Sequence, residues 1–401
     1  MKRRTFLKLA GGTALAGSLA RPALAQQVTV KWWYHFDNPQ NTPAELVAKF
    51  EKENPGIKVQ AEAIPWGGGN DYSTRMFASI VAGNAPDCAQ VKLNNQARLM
   101  EMDALAPLDD YLKGWAGRSD IADNIWTLNR ASNGKQYYLP LHYVVLYLYY
   151  RTDMMAKAPA TTEEFLAAAK AATKGDVYGF GMRGGGGGQD NWGAFVLGGG
   201  ANFSKGGMVS EKALAANRWY VGLAREHKVV PPSAPADGFR QIVDGFKAGR
   251  SAMIIHHIGS SAEMVAALGD KVSAAPVPAT PGAKGWTQFG DESNAVFASS
   301  KNKDAAFKWI SFLSTGENNA ALAKLSGQLP IANSAAASWK GHEKRFVDAS
   351  VASLPIAGVL PDSPKTADFA TTVWPQNMQR ALLGQISPDD MMKAIETHFN
   401  G

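Results

Sequence analysis

The 401-residue chain carries 41 basic and 35 acidic residues and one cysteine. Five of the basic residues and none of the acids fall in the first 25 positions, which leaves 36 basic against 35 acidic and a net charge of +1 in place of +6. That near-balance argues against a nucleic-acid partner; a lone Cys88 excludes an intramolecular disulfide; and no stretch approaches the roughly 20 apolar residues of a membrane span.

The first 25 residues read as an export signal. Lys2, Arg3, Arg4 and Lys8 lead into a Gly/Ala-rich apolar stretch at 9–20, and Ala23-Leu24-Ala25 is an A-x-A pattern, so cleavage is expected after Ala25. The run Arg3-Arg4-Thr5-Phe6-Leu7-Lys8 resembles a twin-arginine (Tat) signal, which passes folded proteins to the periplasm. What remains is long enough for two domains.

Val28 to Tyr34 is β-branched and aromatic and reads as a strand. Thr42-Pro43-Ala44-Glu45 then predicts a helix with Thr42 as N-cap, Pro43 at the first helical position and Glu45 completing a capping box. Asn54-Pro55-Gly56 ends it, and residues 57–61 read as the next strand, giving a parallel βαβ unit. Residues 141–150 are apolar and tyrosine-rich, consistent with one buried strand. Thr161-Thr162-Glu163-Glu164, Asn302 and Ser387-Pro388-Asp389-Asp390 each precede a further predicted helix. Helices interleaved with strands make the class α/β.

Enzyme signatures fail one by one. Gly179-Phe180-Gly181-Met182-Arg183-Gly184 spells G-x-G-x-x-G, but more glycines follow to Gly188 and no acid stands about 20 residues on, so a loop is expected. His342-Glu343 begins a zincin motif that Phe346 breaks. His256 and His257, if in a strand, point to opposite faces. No nucleophile elbow or P-loop follows the signal. No catalytic group, metal or cofactor is expected. Of eleven tryptophans, Trp66, Trp192, Trp286 and Trp374 stand beside glycines or a proline. Aromatic platforms rimmed by polar groups suit the flat C–H faces and hydroxyl edge of a sugar.

A series of motifs then runs in order through the chain: FEKENPGIKV at 50–59, GNAPD at 83–87, LAPLD at 105–109, NGKQYYLP at 133–140, LYYRTD at 148–153, TTEEFL at 161–166, FKAGRSAM at 246–253 and SSKNKDAAFKWISFL at 299–313. In this order they resemble the family 1 extracellular solute-binding proteins, the maltose-binding-protein-like group. The resemblance implies a two-lobed periplasmic-binding-protein fold, each lobe a mainly parallel sheet flanked by helices, with a hinge crossed about three times. Crossings are expected near 140–144, 287–293 and 329–334. Lobe 1 is expected to comprise 26–140 plus 291–332, and lobe 2 residues 141–290 plus 333–401. It further implies a monomer that captures a sugar in the interlobe cleft and delivers it to the permease subunits of an ABC importer. His35, Asp37 and Asn38 follow the first strand, where the family places sugar contacts. Asn94 lies in the segment after Pro86-Asp87, His142 and Tyr143 at the first crossing, Asp291 at the second, and Trp374 at an aromatic of the cleft wall. Trp374 is expected at a helix start, facing the cleft. An anionic polyol is the alternative ligand, since the backbone N–H groups of Arg183 to Gly188 are suited to an anion nest.

Overall fold

Parallel pairing of the first two strands fixes the start of the architecture. In the computed structural model, which describes residues 27–36, 40–64 and 71–401, strand β1 (Val28–Tyr34) lies parallel to β2 (Ile57–Ala63) in unbroken register from Val28 opposite Ile57 to Tyr34 opposite Ala63. The helix Ala44–Glu53 forms the crossover, burying Leu46 and Phe50. It starts one residue later than expected. Pro43 itself occupies the cap position, no side chain caps the turn, and the Thr42 capping box does not form.

The remaining strands are β3 (Cys88–Lys92), β4 (Tyr138–Val145), β5 (Tyr147–Arg151), β6 (Tyr178–Phe180), β7 (Ser251–His256), β8 (Val272–Ala275), β9 (Thr287–Val296), β10 (Leu329–Pro330) and β11 (Ala357–Gly358). They form two sheets. The first has the order β10-β4-β9-β3-β1-β2 with β11 paired to β9; the second has the order β6-β7-β5-β8. Both are mixed, not mainly parallel. β4 and β9 run antiparallel to each other, as do β3 and β9, and in the second sheet only β6 and β7 are parallel. The cause is the connection between sheets: one strand carries the chain out of the first sheet and its neighbour carries it back.

The expected single strand at 141–150 is two strands in different sheets. β4 ends at Val145, β5 begins at Tyr147, and Leu146 alone lies between. The first sheet thus takes in more of the crossing strands than changeovers at 140 and 291 imply. Leu146 is tied to β9 on both sides, its N–H donating to Gln288 O at 3.3 Å and its carbonyl accepting from Thr287 Oγ1 at 2.7 Å.

Each sheet has its own core. Trp32, Phe50, Trp309 and Ile310 pack the first lobe, and Trp32 satisfies its indole N–H on Asn294 Oδ1 at 2.9 Å. Phe165, Phe180, Phe195, Trp192 and Met391 pack the second. Burying side chains of this size is worth roughly 1.5–3 kcal/mol each. Two local signals are realised as read: Thr161 Oγ1 accepts from Glu164 N, and Ser387 Oγ from Asp390 N, each capping its helix.

Candidate functional site

The carboxyl end of β1, the end of β3 and the facing positions of β4 and β9 bring four side chains together. Strand register places Glu292 opposite both Lys92 and His142, and His35 follows β1. Glu292 Oε1 lies 2.9 Å from Lys92 Nζ, and its Oε2 lies 3.0 Å from His142 Nε2 and 3.5 Å from His35 Nε2. Glu292, His142 and His35 are buried. Burial pushes the Glu292 carboxyl up, but His35, Lys92 and His142 outweigh it and hold it well below the ordinary range. Burial likewise lowers His35 to about 4, so its ring is neutral at pH 7. Its backbone N–H donates to Gln90 Oε1 at 2.7 Å and its ring meets Tyr72 edge-on. A carboxylate with three N–H donors is a fixed platform, not a proton shuttle.

Beside this platform Tyr143 stacks on Phe289, with ring centroids 5.9 Å apart, and burial pushes its phenol up to about 12. Asn94, in the turn after β3, has a buried amide oxygen with no hydrogen-bond partner. Asp291 pairs through its backbone with Tyr143; its side chain lies outside what the structure describes, as do Asp37, Asn38 and Trp66 altogether.

The second lobe supplies the opposite wall. After β6 the chain enters the glycine tract, where the N–H groups of Gly184, Gly185 and Gly188 donate to Ala234 O, Asp237 O and Gly185 O. Arg183 folds its own side chain over the tract, donating Nε to Gly186 O at 2.8 Å. Gly187 is left-handed at φ +78°, and a Cβ there would stand 2.0 Å from Arg183 Nη2. Three of the six donors of the expected anion nest are thus engaged, and the Arg183 guanidinium lies against the tract. The helix Gly188–Val196 follows, with Gln189 and Asp190 in its first turn.

His257 caps the short turn after β7. Its Nδ1 accepts from Gly259 N–H at 3.0 Å, and burial lowers it to about 3, so the ring is neutral and carries its proton on Nε2. His256 ends β7 while His257 has left it, so their rings lie 4.5 Å apart and not on opposite faces. The helix Gly188–Val196 of the second lobe comes against β9 of the first, and the Lys92 charge reaches both Asp190 and His257.

Two expected platforms lie elsewhere. Trp192 is fully buried and donates its indole N–H to Asn217 Oδ1 at 2.8 Å inside the second core. Trp374 is also fully buried, 6.3 Å from the Trp192 ring, with its indole N–H unpartnered. It is not at a free helix start. The chain is already helical from Lys365, and a π turn over Phe369–Val373 absorbs Pro375, which can supply no N–H. Trp286 is half-buried, packed over Gly193 and Gly358 near the start of β9. Glu292, Lys92, Gln189, Asp190 and His257 were not expected as cleft residues. The sequence signals them only through strand ends whose register it does not state.

A family model for the bacterial extracellular solute-binding protein matches residues 37–320. A binding protein of Brucella abortus is 27% identical over 378 residues, covering 87% of this chain and 86% of its own. The diacetylchitobiose binding protein DasA of Streptomyces coelicolor is 25% identical, covering 94% and 90%. Among solved structures, an ABC transporter solute-binding protein of Thermotoga lettingae, bound with α-D-tagatose, superposes with a TM-score of 0.80 at 24% identity, covering 93% of this chain and 99% of that one.

Proposed function

The chain belongs to the bacterial extracellular solute-binding proteins, a family of binding proteins and not of enzymes, and from that premise we propose that it captures a sugar between its lobes for an ABC importer. The observation that carries this reading is the cleft itself: two polar walls on separate sheets, joined by the adjacent strands β4 and β9, facing each other with groups that hydrogen-bond and do not react. A DasA-like relative that binds diacetylchitobiose supports the sugar class. The anionic polyol is the weaker reading, because three of the glycine tract's N–H donors are engaged within the protein.

On this reading the lobe of the first sheet, which keeps β4 to Val145 and β9 from Thr287, closes against the lobe of the second sheet about the crossing strands, and ligand favours the closed form. His35, Asn94, His142 and Tyr143 then serve the ligand from the first lobe, and Asp37, Asn38, Trp66 and Asp291 remain candidate contacts on sequence alone. The protein works as a monomer in the periplasm and hands its ligand to the membrane permease subunits. It reaches that compartment by the Tat route, is cut after Ala25, and no helix of the described residues is long and apolar enough to cross a membrane.

A thermal-shift screen of mono- and disaccharides, including D-tagatose and N,N′-diacetylchitobiose, tests the reading. A ligand at about 100 times its Kd adds roughly 2.7 kcal/mol to stability. A melting temperature that no sugar raises, or a sugar recovered chemically altered, overturns it.

A further inference from the structure

We infer that Gln189 and Asp190 form the specificity-determining acceptor pair of the cleft, with the Asp190 charge favoured by the nearby Arg183, and that the cleft therefore takes an uncharged ligand that donates adjacent hydroxyl protons. The inference rests on the sugar reading and sharpens it to a ligand class.

Both residues sit in the first turn of the nine-residue helix Gly188–Val196. Gln189 is 5% exposed, and its amide Nε2 donates to Asp190 Oδ1 at 3.3 Å. That bond orients the amide and leaves its carbonyl oxygen Oε1 buried with no partner. The neighbouring amide is the one hydrogen-bond donor that Asp190 has among the described residues. Burial raises its carboxyl to about 6, with Arg183 and Lys92 working against the rise.

Arg183 stabilises this carboxylate without consuming it. Its Nε is committed to Gly186 O, its guanidinium lies against Gly187, and it makes no ion pair with Asp190 within 4.0 Å. The oxygens of Asp190 stay available for another donor. On the opposite wall the situation is reversed: the Glu292 oxygens are taken by Lys92, His142 and His35. Across the cleft from Lys92, on the Asp190 side, His257 carries an Nε2–H.

A ligand here must satisfy acceptors and donors together. A hydroxyl does both, and adjacent hydroxyls match a carboxylate beside an amide oxygen. A phosphate or carboxylate brings acceptors only and would be set against Gln189 Oε1 and Asp190. An ammonium would suit that pair but meets Lys92 and Arg183. Among the described residues the charges balance as two opposite-sign sets, Arg183 near Asp190 and Lys92 on Glu292, so these residues leave no net counter-charge for a charged ligand.

The test is calorimetric titration of the full mature chain with three classes of probe: D-glucose, D-tagatose and N,N′-diacetylchitobiose; D-glucuronate and glucose 6-phosphate; and D-glucosamine. The tightest probe is expected to be uncharged. Asp190→Asn is expected to weaken it about 10- to 100-fold, and Gln189→Leu by less, while the ligand-free Asp190→Asn melts no lower than wild type. Asp190→Ala serves as a second variant. Affinity of the wild type is expected to fall below about pH 6, where Asp190 takes up its proton, and the Asn variant to lose that dependence. A charged probe that binds tighter than every uncharged one overturns the inference. An uncharged probe bound equally by wild type and Asp190→Asn overturns it while leaving sugar capture intact; failure of every probe removes both.

Discussion

The two walls of the cleft solve opposite problems with similar residues. In the first lobe Glu292 is deeply buried and surrounded by three donors from three other strand ends, so its charge is fully answered inside the protein. In the second lobe Asp190 is answered by one amide and a guanidinium beyond ion-pair distance, and Gln189 Oε1 is buried without a partner. Buried polar groups are ordinarily paired, so a carboxylate saturated by its own neighbours on one wall, facing a carboxylate with a single donor on the other, is a division of labour. One carboxylate builds the wall and the other waits for a ligand.

The comparison breaks first at Glu292. Glu292→Ala leaves Lys92 without its counter-charge and should cost about 3–5 kcal/mol of stability, measured by chemical denaturation, whereas Asp190→Asn should cost none. A Glu292 variant of normal stability would make the two carboxylates equivalent and end the distinction.

Acid titration sharpens it. Asp190 has a folded value of about 6 against an ordinary 3.8, so the fold binds its proton more tightly than the unfolded chain does. Ionisation of Asp190 therefore penalises the fold above pH 6, by on the order of 3 kcal/mol, and the penalty disappears as pH falls from 6 towards 4. His35 and His257 have the opposite sign: lowered to about 4 and 3, they withdraw stability as pH falls below the ordinary histidine value of 6.5. Wild type should thus lose stability on acidification, and ligand-free Asp190→Asn should lose it more steeply. The variant should be the more stable at pH 7 and the two should converge near pH 4. Parallel melting curves from pH 7 to 4 would refute the assignment.

Gly188→Ala probes the base of the waiting wall. A Cβ there stands 2.1 Å from Arg183 O and 2.7 Å from the Trp374 ring, neither of which can retreat without moving the core. A loss of about 1–3 kcal/mol is expected, read as a lower melting temperature. The smallest effect concerns a contact between the lobes, where the Ser132 N–H donates to Asp362 Oδ2 at 2.8 Å in an exposed position. Asp362→Ala should weaken closure by about 0.5–1 kcal/mol, increasing the ligand-free radius of gyration in solution scattering with no change in the melting of either lobe.

What the sequence disclosed follows from how local each signal is. Thr161 and Ser387 cap helices three residues away, and the periodicity of 28–34 is contained within one strand, so both are readable from the residues alone. The run 141–150 is uniformly apolar on both sides of Leu146, and hydrophobicity carries no mark of which sheet a strand joins. Trp192 and Trp374 stand beside glycines and a proline as a cleft platform would, but the glycine at 188 serves to let the Trp374 ring approach the backbone. Glu292 and Lys92 are 200 residues apart in the chain and meet only through the register of β3 on β9. His35 and His142, expected from the family resemblance as sugar contacts, are drawn together on Glu292 by the order of β1, β4 and β9.

The passage from β4 through Leu146 to β5 has a mechanical consequence. Two antiparallel ribbons lie side by side at the crossing, and Leu146 is fastened to the neighbouring ribbon at Thr287 and Gln288. Such a pair behaves as a leaf spring. It flexes perpendicular to its own plane, where the hydrogen bonds merely tilt, and it resists shear within that plane, where they would have to break. The lobes are therefore left essentially one soft coordinate, so a ligand that engages both walls meets the same approach geometry in every cycle.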